Sequence, residues 1–431
     1  MNNQDIIKFF LQIAVMLACA LFAGQIMRRF RQPAVLGELI GGVIIGPTIL
    51  GLLLPNFYLW LFQSSPEVGI LRDASIKMGM LFFLFIAGLE INFSKTNHVG
   101  RYALIIGLVG TVLPIAFGVA LVYLIPPAFW GEIAKNNLTI FGLFIGINLA
   151  NTANPVIVRI LQDLKLLKTE VGAITLNATV VDDSITWTLF AIMLSFTTPQ
   201  TGEVFLNTNQ TIFLILAFFF LMLTLGRHFA PKALKVIRKT LAWPSGFIAF
   251  TALAILLVAS VAEFLGIHAF LGAFLLGAVV AGKHPEAEEA HTVISQFVMA
   301  FFAPIYFVSI GMKTNFIANF DFGLMVIILL SASISKFLSV LIGGKIAGMK
   351  IDRQALAIAS GLNARGATGI ILAGIGLSNG LIDERIFVSL FIMAIITSIA
   401  AGPLMTYFLA SQKTPRKAAE SSLPAVSNTD F

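Results

Sequence analysis

Mostly apolar runs, each near the ~20 residues an α-helix needs to cross a bilayer, succeed one another from residue 5 to residue 410. They occupy 5–27, 34–54, 76–92, 102–125, 139–161, 171–196, 211–227, 244–265, 267–283, 295–312, 323–346, 354–378 and 386–410. The runs are continuous rather than alternating and far exceed the roughly 9–11 residues of a membrane strand, which argues against a barrel. The expected fold is an all-α polytopic membrane protein of about 13 transmembrane helices. Composition agrees, since 58% of the 431 residues are hydrophobic and 11% are charged, against about 25% charged in a soluble domain. Residues 1–410 therefore read as one transmembrane domain, and the polar residues 411–431 as a disordered tail. A soluble enzyme, a nucleic-acid-binding protein and a disulfide scaffold are all disfavoured. The single cysteine, Cys19, sits inside the first run and reads as inert packing.

The first run does not read as a cleaved leader. Lys8 is the one basic residue in its opening MNNQDIIKFF, offset by Asp5, and the run ends at Arg28 and Arg29 without a convincing cleavage site. Basic residues then gather on every second loop. Arg28, Arg29 and Arg31 follow the first run, Lys95 and Arg101 the third, and Lys165 and Lys168 the fifth. Arg227, Lys232, Lys235, Arg238 and Lys239 follow the seventh, Lys283 the ninth, and Lys345, Lys350 and Arg353 the eleventh. Lys413, Arg416 and Lys417 follow the last, while the alternate loops hold only Arg72, Lys135, Lys313 and Arg385. Positive loops face the cytoplasm, so the N-terminus is expected outside a cell (inner) membrane and the C-terminus inside. The net charge of +7 records this bias rather than an affinity for nucleic acid.

The two halves carry an inverted repeat. The second run reads LGELIGGVIIG (Leu36 to Gly46) and the ninth LGAFLLGAVVAG (Leu271 to Gly282), matching at Leu-Gly and at the glycine six positions on. The third run ends GLEINF (Gly88 to Phe93) and the tenth GMKTNF (Gly311 to Phe316). By the loop charges the matched runs point oppositely, the pattern of transporters whose site lies near the bilayer midplane. The same order pairs the fifth run with the twelfth. The fifth holds NLANTANP (Asn148 to Pro155) and the twelfth GLNARGATG (Gly361 to Gly369). Asn151, Pro155, Asn363 and Arg365 lie within these polar insertions, which should break a membrane helix and aim half-helix dipoles at a buried ion. A proline kink at Pro155 and a wet pocket at Asn363 are the plainer reading.

Asp182 and Asp183 stand inside LNATVVDDSITWTLF on the sixth run. A carboxylate in mid-membrane costs several kcal/mol and is rare unless used or paired. Neighbours on a helix point about 100° apart, so one acid can meet another helix while the other faces a cavity. Lys336, in SASISKFLSV on the eleventh run, is the available cation, with Arg159 and Arg365 also buried by the span count, though Arg159 is placed to snorkel. Burial and pairing push such groups in opposite directions, so a buried Asp–Lys pair is a proton site whose charge state can change when an ion arrives. Glu90 and Glu263 fall near span ends, and Glu38 stands between helix packing and an ion route. His268 and His291 are unclustered, and neither a metal centre nor a cofactor is expected.

From GELIGGVIIGP (Gly37 to Pro47) through the Asp pair to the tail, the chain resembles the bacterial monovalent cation:proton antiporters of the second large family, with the sodium/proton-exchanger fold. The resemblance implies Asp183 as main cation and proton ligand, a salt bridge from Asp182 to Lys336, and Thr152 and Asn154 as neighbours from the unwound helices. It implies a mobile core including 139–196 and 323–378, moving against dimerisation helices including 34–54 and 211–283, in a homodimer. Relatives with Gln before the Asp lean toward K⁺, whereas the Asp pair with a lysine implies electrogenic exchange of Na⁺, or Li⁺, for H⁺. NTANP departs from the Ala-Thr-Ser-type segment of many relatives, so the ligands there and the ion preference are open. An intramembrane aspartyl protease would need its acids on separate helices. A channel would build its filter from several subunits. A Na⁺-coupled symporter is separated only by its need for an organic solute.

Overall fold

The structure, a computed structural model, describes residues 3–30, 33–63, 65–89, 98–167, 169–197, 213–214, 217–218, 220–242, 245–265, 269–281 and 292–410. The tail, Glu90, His268 and His291 lie outside the described residues. The principal helices are α1 (Asn3–Arg29), α2 (Ala34–Ile45), α3 (Pro66–Leu89), α4 (His98–Leu124) and α5 (Leu138–Ala150). They continue with α6 (Asn154–Asp163), α7 (Glu170–Thr197), α8 (Arg227–Thr240), α9 (Ser245–Phe264) and α10 (Ala269–Val280). The last are α11 (Ala303–Gly311), α12 (Phe322–Ala347), α13 (Arg353–Leu362), α14 (Gly366–Ser378) and α15 (Glu384–Ala410). No strand occurs among the described residues.

Among the described residues, seven helices are long and apolar enough to cross a membrane by length and composition. Two expected spans are instead cut in half, the fifth into α5 and α6 and the twelfth into α13 and α14. Side-chain caps start several of the core helices. Asn137 accepts from the Ile140 N–H, Asp321 from Leu324, and Asp352 from Gln354 and Ala355, each satisfying donors that the first helical turn leaves orphaned.

Reciprocal glycine crossings give the repeat its physical form. A Cβ on Gly42 of α2 would stand 2.1 Å from the Val308 carbonyl of α11, and one on Gly277 of α10 would stand 2.0 Å from the Phe85 carbonyl of α3. Seen from the other side, Gly311 would meet Leu39 O at 2.2 Å and Gly88 would meet Phe274 O at 2.1 Å. Gly42 and Gly277 are the glycines matched between the second and ninth runs, and Gly88 and Gly311 open the other matched pair. Each half thus crosses the other through the same two positions, as a pseudo-two-fold axis requires.

Helices α1, α2, α3, α9, α10 and α11 pack on one another through these crossings, and α4, α5, α6, α7, α12, α13, α14 and α15 form a second set. Helix α4 is central to the second set, lying against α5, α7 and α12. It approaches α5 closely enough that a Cβ on Gly118 would be 2.4 Å from Gly146 Cα. Few helices touch across the boundary between the sets.

Candidate functional site

Helix α5 stops at Ala150, residues 151–153 run non-helically, and α6 restarts at Asn154. Pro155 stands in the first turn of α6, where a missing N–H costs nothing. Helix α13 stops at Leu362 and α14 restarts at Gly366, whose φ of +47° favours glycine. A side chain there would also press within 2.6 Å of Ala153 Cβ. The two breaks meet. The Ala153 N–H donates to Ala364 O at 2.7 Å, and the Thr152 hydroxyl donates to Leu362 O at 3.1 Å. Asn151 Nδ2 donates to the Thr368 hydroxyl at 2.9 Å. The polar insertions that interrupt the fifth and twelfth runs therefore supply one another's backbone and side-chain partners in the middle of the bundle.

The unwound end of α5 leaves carbonyls that two buried cations take up. Arg365, 0% exposed, donates from Nη1 to Ala150 O (2.9 Å) and Asn151 O (2.6 Å) and from Nη2 to Ala332 O (2.8 Å). Lys336 spends its three donors on Ala150 O (2.7 Å), Gly110 O (3.0 Å) and Asp182 Oδ2 (3.0 Å). The other oxygen of Asp182 accepts from the Thr111 hydroxyl at 2.5 Å. Asp182 is thus held between an ammonium and a hydroxyl.

Asp183, next along α7, is half-buried and turned about 100° from Asp182 around the helix. Uncharged oxygens lie buried with no hydrogen-bond partner on α7 (the Thr186 hydroxyl), at the start of α6 (Asn154 Oδ1) and in the two breaks (Asn151 Oδ1 and Asn363 Oδ1). Carbonyl, hydroxyl and carboxylate oxygens are the donors that hard cations take. Asn363 also donates from Nδ2 to Ser333 at 3.3 Å. Thr111 and Thr186 were not singled out in the sequence. Thr186 carries a readable signal, since it follows the acids by three and four residues and so shares their side of α7, whereas Thr111 is brought to Asp182 only by tertiary packing.

Other charged candidates fall elsewhere. Arg159 is exposed rather than buried as the span count suggested, in the snorkelling position its long stem permits, and pairs with Asp163 one turn on at 3.1 Å. Glu263 accepts from the Ala269 N–H at 2.8 Å and caps α10. Glu38 lies half-buried on α2, in the set of helices opposite the Asp pair, beside Gly24 of α1. Cys19 Sγ donates to Gly41 O at 3.3 Å and packs α1 on α2. No cluster of three or more His, Cys, Asp or Glu that could hold a metal occurs among the described residues.

Two cavities open, one at the seam between the helix sets and one between α6 and α15 with Pro33 at its rim. One of about 490 Å³ is lined by Lys77, Glu263, Tyr306, Lys313 and Ser378. Its lining residues Phe270 and Ile375 also belong to an apolar cluster with Trp187, Phe190 and Phe274, and Trp187 is one turn along α7 from Asp183. The other, about 140 Å³, is lined by Pro33, Val156, Arg159, Asp163 and Ser398.

The family described as "Sodium/hydrogen exchanger, transmembrane" matches residues 14–411. The chain is 31% identical over 413 residues to the Na(+)/H(+) antiporter NhaS4 of Synechocystis, covering 94% of this chain and 98% of that one. It is 28% identical to the Na(+)/H(+)-K(+) antiporter GerN of Bacillus cereus, over 96% of this chain and 99% of that one. The solved sodium proton antiporter MjNhaP1 of Methanocaldococcus jannaschii shares the fold, with a TM-score of 0.66 at 14% identity over 95% of this chain and 98% of that one.

Proposed function

The chain belongs to the transmembrane sodium/hydrogen exchanger family, and we propose that it exchanges Na⁺, with Li⁺ as an alternative cargo, for protons by alternating access. One observation carries this reading. Asp183 shares α7 with Asp182, whose carboxylate is committed to Lys336 and Thr111, and with Thr186 one turn on, whose hydroxyl is buried without a hydrogen-bond partner.

Asp183 is the exchanging acid. A proton neutralises it and releases the cation; a cation bound there, assisted by Thr152, Asn154 and the half-helix ends, excludes the proton. Asp182 and Lys336 form the coupling pair, which responds to the charge on Asp183 and makes the exchange electrogenic. Arg365 holds the break open by satisfying its backbone carbonyls, and Asn151 ties the two breaks together through Thr368. Helices α4 to α7 and α12 to α15 form the moving core, and the glycine-locked set forms the scaffold of a homodimer. The two cavities are the mouths of the pathway, and the Trp187–Phe190–Phe274 layer is the closed gate toward the larger one. The N-terminus is outside an inner membrane and the C-terminus is cytoplasmic. Transport of one net charge is worth about 2.3 kcal/mol per 100 mV, so the membrane potential drives a process that moves unequal charge.

The test is a set of proteoliposomes holding a proton gradient, to which Na⁺, Li⁺ or K⁺ is added singly without organic solute. Na⁺ and Li⁺ dissipate the gradient. A response to K⁺ alone would replace the cargo, and no response to any of the three would remove the exchange reading.

A further inference from the structure

Helix α8 reads RHFAPKALKVIRKT and follows directly on the seventh apolar run. It holds Arg227, His228, Lys232, Lys235, Arg238 and Lys239 and no acidic residue. The described side chains divide its circumference into three sectors. Ile237, 6% exposed, faces the bundle. Phe229 and Val236, seven residues apart and therefore on one side of the helix, are 57% and 59% exposed. Lys232, Lys235, Lys239 and His228 form an adjoining exposed sector. Lys232 joins the two exposed sectors, its ammonium 5.7 Å from the Phe229 ring centroid and 3.0 Å from His228 Nε2.

We propose that α8 is an interfacial helix that docks on the anionic phospholipid headgroups of the cytoplasmic leaflet. That placement rests on the orientation proposed above. A helix with one buried, one exposed apolar and one basic sector suits a surface that is itself apolar below and negative above. Phe229 and Val236 enter the acyl boundary while the lysines extend to the phosphates, their stems covering the apolar edge. A soluble anion would use the lysines and leave Phe229 and Val236 without a role. Each basic residue near such a surface contributes about 1 kcal/mol, within a Debye length of the headgroups. Continuity with a membrane run leaves α8 no freedom to drift from that plane.

The experiment places a fluorophore on Val236→Cys in a Cys19→Ala background. The purified protein is reconstituted into phosphatidylcholine vesicles with or without phosphatidylglycerol. The probe is expected to shift to the blue when phosphatidylglycerol is present. The shift should be lost in Lys232→Gln/Lys235→Gln/Lys239→Gln and in about 1 M salt, where the Debye length falls to about 3 Å. The same emission in both vesicle types would overturn the proposal, as would a shift that survives the triple substitution. If neutralising Glu286, Glu288 and Glu289 moves the probe in phosphatidylcholine alone, the chain's own acidic segment occupies the basic sector and the proposal fails. Inorganic phosphate added to phosphatidylcholine vesicles should leave the emission unchanged, and a shift there would count against a lipid partner. The probe reads lipid contact whether or not ions move, so failure here leaves the exchange reading standing.

Discussion

The ammonium of Lys336 stands 3.0 Å from Oδ2 of Asp182, with each side chain 1% exposed. Removing one member of such a buried pair leaves a desolvated charge and typically costs about 3–5 kcal/mol, whereas replacing both with apolar residues of similar volume is often far milder. Lys336→Met and Asp182→Leu should each lower the melting temperature of the purified protein sharply. The double variant should recover much of the loss. Melting that adds across the two substitutions would mean that the pair is not coupled. The double variant is also expected to lose voltage sensitivity, read as exchange rate against an imposed potential.

Asp183→Asn should abolish Na⁺-driven proton movement while leaving melting close to the parent, because the amide keeps the shape of the carboxyl and the Lys336–Asp182 bridge stays intact. In the parent, protons and cation compete for this acid. Apparent Na⁺ affinity should therefore weaken on acidification, by up to about tenfold per pH unit where one proton is displaced. Substantial residual exchange in Asp183→Asn, or an affinity that ignores pH, would assign the ion to another group.

These expectations divide according to what a one-dimensional string can carry. Helical class, the runs and the acids were legible because each is written locally, in apolar length or in a charge where lipid forbids one. The breaks were legible too, because NTANP and NARG cannot continue a membrane helix. What closes around them was not. Thr111 reaches Asp182 from a helix 71 residues earlier, and no spacing along α4 announces it. Arg365 could be seen to be buried, but its task of capping α5 depends on which carbonyls the crossing happens to expose. Arg159 was counted as buried from its place inside the fifth run, and its exposure matches the snorkelling alternative that its long stem allowed.

The glycine crossings are a matched pair and should fail in parallel. A methyl on Gly42 would lie 2.1 Å from a backbone carbonyl and one on Gly277 2.0 Å from another, far inside contact distance, so α2 and α10 would have to part from α11 and α3. Gly42→Ala and Gly277→Ala should each cost about 1–3 kcal/mol or more through overpacking. Gly69, in α3, has nothing within 4 Å of the added methyl. Gly69→Ala should hold or gain up to about 1 kcal/mol from helix propensity. Equal melting of all three variants would show that the close approaches do not bind the halves together.

Lys313 sits just beyond α11 at the seam between the helix sets, donating to Gly374 O at 2.8 Å and to the Ser378 hydroxyl at the end of α14. Burial pulls its ammonium down from 10.5 to about 8, with Asp73 partly opposing the shift. The folded protein therefore releases this proton at lower pH than the unfolded chain does. Between about pH 8 and 10.5 the unfolded state binds more protons, so this group makes stability rise with pH through that window and adds no slope below it. Lys313→Met removes the contribution. The difference in melting temperature, parent minus variant, should be flat up to about pH 8 and climb above it. A difference that stays constant to pH 10 would place the ammonium in water rather than in the seam, and one that falls would mean that a neighbouring anion, not burial, governs it.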